Sequence, residues 1–174
     1  GDHRIAMASA IAGQRCEGKL LRDEADFAPL AGGAQLVDRK TGLIWDRCIE
    51  GQHWTGSTCQ ADDPEAVNPG PNVTYAEAQR LAAAKATDTE HWRIPTRAEL
   101  LTLREPGCYN PSLNLNLFPT APAWSSDGFF WSSTREAQGL SQVSAIGASD
   151  AWSTTEPRNV AHLRLVRTAP TEAK

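Results

Sequence analysis

The chain has 174 residues, 40% of them hydrophobic, and its 17 Lys and Arg against 21 Asp and Glu give a formal net charge of -4. That length suits one compact domain with a sizeable core, and basic residues scattered through an acidic whole argue against a phosphate-tracking nucleic-acid surface. No apolar run approaches the roughly 18 residues that a membrane-spanning helix needs.

Residues 1–33 read as an N-terminal helical extension. Ile5, Met7, Ala8, Ile11, Ala12, Leu20 and Leu21 recur on an alanine-rich background from Arg4 to Leu21, with Gly13 and Gly18 weakening the interior. Gly32 and Gly33 end this preamble. From Ala34 the run A-Q-L-V-D-R-K-T-G-L-I-W-D-R-C gives two short strands around a turn holding Asp38, Lys40 and Gly42, with Leu36, Leu43 and Trp45 as core. Asp38 and Asp46 suit a turn or polar face better than a cation site.

Cys48 and Cys59 bracket a loop rich in Gly, Ser and Thr, which a disulfide could staple; Cys16 and Cys108 would then form the second pair. Four cysteines allow three pairings, and sequence does not choose among them. The spacings match neither a C-x-x-C redox motif nor a zinc knuckle. Two bridges would imply an oxidising location: extracellular, cell surface or periplasm.

After an irregular Pro- and Asn-rich stretch, Thr74 and Glu77 form a capping-box pattern opening a helix whose Tyr75, Ala78, Leu81 and Ala82 share a buried side. Trp92 and Ile94 sit on a short strand closed by Pro95. Thr96 and Glu99 then cap a second helix expected over 96–104, with Leu100, Leu101 and Leu103 on its apolar side. A long loop follows from Cys108 through Pro111, Pro119 and Pro122, pinned by Leu113, Leu115, Leu117 and Phe118. The remainder is mainly strand: 128–133, 142–146, 151–155 and 160–166. In the last, Ala161, Leu163 and Leu165 share one face, opposite Val160, His162, Arg164 and Val166. Residues 169–174 read as a disordered tail.

Three tryptophans precede hydroxyls: W-S-S at Trp124, W-S-S at Trp131 and W-S-T at Trp152. An indole beside a hydroxyl can stack on a sugar ring and bond its rim, and it also suits a strand with the ring buried and the serine outside. If the domain recognises a ligand, Trp124, Ser125, Asp127, Trp131, Trp152, Arg158 and Asn159 form the expected face. A glycan or a protein surface fits that composition. A sulfated glycan would require Arg135, Arg158, Arg164 and Arg167 to gather in space. No catalytic set, cofactor motif or metal-ligand spacing is present.

The runs T-G-L-I-W-D-R-C at 41–48, G-x-x-W-x-G-x-x-C at 51–59, Thr74-Tyr75, W-R-I-P-T-R-A-E-L at 92–100, F-F-W-S-S-T at 129–134 and L-R-L-V-R at 163–167 resemble, in order, the C-terminal domain of the Legionella collagen-like adhesin, a family once described only as a domain of unknown function. The resemblance covers 34–168. It implies an α+β, C-type lectin-like fold, here with two helices on a twisted, mainly antiparallel sheet and the extra N-terminal helix. It also implies a Cys48–Cys59 disulfide and an exported bacterial setting.

The corner at 92–100 resembles that of formylglycine-generating enzymes too, but their late reactive cysteine pair has no counterpart after Cys108. The E-P-N loop and W-N-D strand of calcium-dependent lectins are replaced by Glu156-Pro157-Arg158-Asn159 and W-S-T. The expected function is a non-enzymatic adhesion or binding module of a bacterial surface or pilus-associated protein, with homo-oligomers or pilus subunits as further partners. A structural or assembly subunit is the alternative, and an enzyme of the formylglycine-generating branch the remote one.

Overall fold

A computed structural model describes residues 15–65, 72–109, 111–119, 129–135, 141–145 and 160–170. Its centre is a four-stranded antiparallel sheet in the order β10-β4-β3-β2, from β2 (Phe27–Leu30), β3 (Gln35–Asp38), β4 (Leu43–Asp46) and β10 (Val166–Thr168). β3 and β4 form the expected hairpin, with Leu36 opposite Trp45 and Asp38 opposite Leu43. Asp38 holds the turn by accepting the Lys40 N–H at 3.0 Å, and Gly42 supplies the positive φ of 73°.

Alternate residues of β4 enter different cores, as strand geometry requires. Leu43 and Trp45 join Phe27, Leu36, Ile49, Leu100, Leu103, Leu113, Leu117, Phe118, Phe130 and Val166 on one side. Ile44 joins Val73, Ala78, Ala82, Trp92, Ile94, Trp131, Ala161, Leu163 and Leu165 on the other. α1 (Tyr75–Lys85) closes the second core through Ala78 and Ala82, and α2 (Arg97–Leu101) closes the first through Leu100. Both helices carry the predicted capping boxes, Thr74 with Glu77 and Thr96 with Glu99.

Three two-stranded units complete the set: β1 (Arg15–Cys16) with β7 (Cys108–Tyr109), β5 (Gln52–Trp54) with β6 (Cys59–Ala61), and β8 (Phe129–Arg135) with β9 (Ser141–Ala145). Both disulfides form, Cys16–Cys108 and Cys48–Cys59.

The N-terminal region corrects the sequence reading. The helix expected to Leu21 does not run through 15–21; Arg15–Cys16 is strand, and the helical structure at Glu24–Asp26 is one 3-10 turn. Residues 1–14 lie outside the described residues. Tertiary bonding outweighs the local preference: the Glu17 N–H donates to Gly107 O at 2.7 Å, and the Leu21 and Arg22 N–H groups donate to the Glu105 carboxylate at 2.6 and 3.1 Å. β2 then pairs with β3, which makes residues 27–30 part of the central sheet. Gly107 permits the close approach, since a Cβ there would stand 2.5 Å from Glu17 O.

The helix expected over 96–104 stops at Leu101. Its continuation tightens into i to i−3 bonds, from Thr102 N–H to Glu99 O, Leu103 N–H to Leu100 O and Arg104 N–H to Leu101 O, before Pro106 and Gly107. Residues 160–166 also depart from expectation: the strand begins only at Val166, as β10, with Ala161 and His162 in isolated bridges, and His162, Arg164 and Val166 are as buried as Ala161, Leu163 and Leu165. Of the tail expected at 169–174, Ala169 is instead tied down, donating its N–H to Gly42 O at 2.7 Å and packing on the second core; the strand expected at 151–155 and residues 171–174 lie outside the described residues.

Replacing both Cys16 and Cys108 with Ala should lower the unfolding free energy by about 2–4 kcal/mol, the usual yield of a long-range disulfide. Thr96→Ala should cost about 1 kcal/mol through its lost cap. Urea denaturation reads both.

Candidate functional site

Of the residues assigned to a ligand face, Trp124, Ser125, Asp127, Trp152, Arg158 and Asn159 lie outside the described residues. Three of their four flanking residues, Phe129, Ala145 and Val160, are described at or beside one junction. Phe129 and Ala145 are register partners across β8 and β9, the His162 N–H donates to Phe129 O at 2.8 Å, and Val73 and Ala161 exchange backbone bonds of 2.9 and 3.0 Å. One end of 66–71, one end of 120–128 and both ends of 146–159 therefore join the described fold beside this junction. Val160 beside it is 45% exposed.

Trp131 takes the packing role of the two open to it. It is 3% exposed, lies against Tyr75 with ring centroids 5.3 Å apart, and donates its indole N–H to Val73 O at 2.8 Å. Ring and N–H are both spent inside the second core, so its placement supports the junction.

Two of the four arginines that a sulfated glycan would require, Arg164 and Arg167, are buried. Arg164 is 1% exposed, with one guanidinium nitrogen donating to Asp46 O at 3.0 Å and Arg47 O at 2.6 Å, and with Phe118 and Phe130 rings 4.9 and 5.9 Å away. Burial lowers its pKa to about 10, against the attraction of Asp46. Arg167 is 8% exposed, pairs with Glu90 and Gln35 and lies over Trp92; Arg135 is exposed. Arg158 lies outside the described residues.

A second constellation was not foreseen. Asp46, at the end of β4, pairs with Lys85 at the end of α1, whose ammonium also lies 4.1 Å from the Trp92 ring centroid. Glu50, in the loop leading into the stapled hairpin, lies near enough to Asp46 for their charges to act on one another. Burial raises Asp46 above the ordinary carboxyl range against the pull of Lys85, and burial followed by the Asp46 charge raises Glu50 to about 7. The spacing of Asp46 and Glu50 is visible in sequence. Their meeting with a lysine 39 residues away is not.

The hairpin itself is fixed by Arg47, which stacks on Trp54 at 4.1 Å and donates to Gly33 O, Asn116 O and Leu117 O. Asp38 accepts from Arg22 at 2.7 Å, so the two aspartates considered for a cation serve ion pairs instead. Among the described residues, no group of three or more His, Cys, Asp or Glu stands close enough to hold a metal ion, and no helix is long and apolar enough to cross a membrane.

Trp131→Ala should cost about 3–5 kcal/mol as a buried large-to-small change. Trp131→Phe should cost about 0.5–1.5 kcal/mol, since it removes the indole bond to a Val73 carbonyl that still accepts from the Ala161 N–H. Equal stability of all three proteins in urea would contradict the core placement.

No curated protein and no solved structure matches the chain. The family model of the Lcl C-terminal domain matches residues 34–167, from β3 to within β10, and so takes in the central hairpin, the Cys48–Cys59 staple, both helices and the junction. The chain belongs to the Lcl C-terminal domain family.

Proposed function

We propose that this chain is a non-enzymatic, extracellular binding module of adhesin type, which recognises a glycan or a protein surface through residues 124–127 and 152–159. Family membership across residues 34–167 carries the reading. The two disulfides agree with an oxidising compartment. The common junction of the flanking strands lets the two segments serve one face. Trp124 and Trp152 supply stacking surface there, and Ser125, Asp127, Arg158 and Asn159 supply donors and acceptors. With Arg164 and Arg167 buried, a neutral or mixed glycan or a protein surface fits better than a polyanion.

Arg158→Ala and Ser125→Ala, each with unchanged thermal unfolding, should weaken binding to a ligand identified on a glycan array or among surface proteins by about tenfold or more, a loss of about 1.4 kcal/mol. Gln79→Ala on the exposed side of α1 should leave it unchanged. Loss with Gln79→Ala and not with the other two would overturn the placement. Absence of any ligand, with self-association instead, would favour a structural or assembly subunit.

A further inference from the structure

Residues 15–30 precede the span matched by the family model, which begins at residue 34, yet they complete its central sheet. β2 pairs with β3 from Phe27 opposite Asp38 to Leu30 opposite Gln35, and without β2 the edge of the sheet would be β3. Among residues 16–30 only Phe27 is buried, where it meets Phe118 edge to face at 6.0 Å. The further ties are polar or covalent. Arg22 pairs with Asp38 at 2.7 Å and donates to Thr102 O at 3.0 Å, Glu24 accepts from Asn114 and Asn116 at 2.7 and 3.2 Å, and Cys16 is bonded to Cys108. Leu21 and Leu30 stay 62% and 37% exposed. A segment with one apolar anchor opens at lower cost than the cores it lies on.

The turn that joins β2 to β3 is strained. Ala31 has φ 52°, a region its side chain disfavours, and Gly32 and Gly33 follow at 68° and 98°. Two side chains pin this turn closed: the Trp54 indole N–H donates to Gly32 O at 3.2 Å, and the Arg47 guanidinium to Gly33 O at 3.4 Å. If the turn opens, residues 31–33 extend and Ala31 returns to ordinary backbone.

We propose that residues 15–30 are an exchangeable strap: two copies of this chain swap them by opening the turn at 31–33, each strap seats on the partner's β3 edge, and the Cys16–Cys108 bridge fixes which copy holds it. The occupant follows from the seat. A second copy carries the same Phe27, Arg22 and Glu24, so every contact made within one chain is made again between two, and the strain at Ala31 is relieved. Leu30 adjoins the turn, where the two copies of an exchanged pair pass one another, and its exposed side chain gains cover there.

While the bridge is intact within one chain, the strap cannot leave. Cys16 is its partly exposed member and Cys108 the buried one. The thiolate of a small thiol attacks the Cys16 sulfur, forms a mixed disulfide there and frees Cys108 as a thiolate. Once the straps have crossed, each Cys108 thiolate attacks the mixed disulfide on the partner's Cys16 and expels the small thiol. Two bridges within chains become two between chains, with no net oxidation and the small thiol returned.

The test mixes isotope-labelled and unlabelled full chains at high concentration, with and without a glutathione redox buffer, and separates the species by size-exclusion chromatography with light scattering. A dimer should form only in the redox buffer. Non-reducing peptide mapping of that dimer should find labelled–unlabelled hybrids at Cys16–Cys108 and none at Cys48–Cys59, and isotope-filtered NMR should place Phe27 of one copy against the partner's Phe118. Ala31→Gly, which removes the strain, should lower the dimerisation constant by about tenfold or more. Deleting Gly32 and Gly33, which leaves the turn too short to close, should give dimer as the chain first folds. A chain that stays monomeric in the redox buffer would overturn the exchange whatever the deletion does. So would a dimer whose Cys16–Cys108 pairs all carry a single label, or a dimerisation constant that Ala31→Gly leaves unmoved.

Discussion

The fold depends on the burial of residues 161–167 from both sides. A strand with one wet face needs only alternate apolar residues, but here the chain runs between two cores and every position from Ala161 to Arg167 is buried. Its backbone bonds reach Val73, Phe129, Trp131, Glu50, Asp46, Arg93 and the β4 strand. Helix α1, the β8 strand, the stapled hairpin and the W-R-I-P corner are thereby fixed relative to one another through one segment. Ala161, Leu163 and Leu165 serve the second core, while Val166 serves the first and the Phe130 ring stands beside His162.

A charged residue in such a segment must be solvated by protein. Arg164 meets main-chain oxygens on one side and aromatic faces on the other, at the cost of a pKa pulled down by burial. Other arginines act as fasteners in the same way. Arg22 ties the N-terminal segment to Asp38 and Thr102 O, Arg47 ties the stapled loop to 33 and 116–117, and Arg93 grips both oxygens of Glu99 at 2.6 Å across the corner. With Arg164 and Arg167 buried and a whole-chain net charge of -4, steering toward polyanions is weak.

The aromatic residues divide by location. Trp45, Trp92 and Trp131 are core, and Trp54 is a partly exposed cover on Arg47. Trp124 and Trp152 lie outside the described residues. The junction of Val73, Phe129, Ala145 and Ala161 is set by backbone bonding and by the buried Trp131.

Local rules were enough for much of this protein. The capping boxes at Thr74 and Thr96, the hairpin around Asp38 and Gly42 and the anchoring leucines from Leu113 to Leu117 follow from short-range stereochemistry, and the spacing of the cysteines made both bridges expected. Three things were decided by tertiary structure. Alanine-rich propensity through Leu21 yielded to Glu105 and Gly107, because buried acceptors supplied bonds from a distance that a frayed helix could not match. The polar face of residues 162 and 164 was buried by a second layer that periodicity does not reveal. The Asp46, Glu50 and Lys85 cluster arose because β4, the following loop and the end of α1 converge, and sequence spacing contains no measure of distance between separate elements.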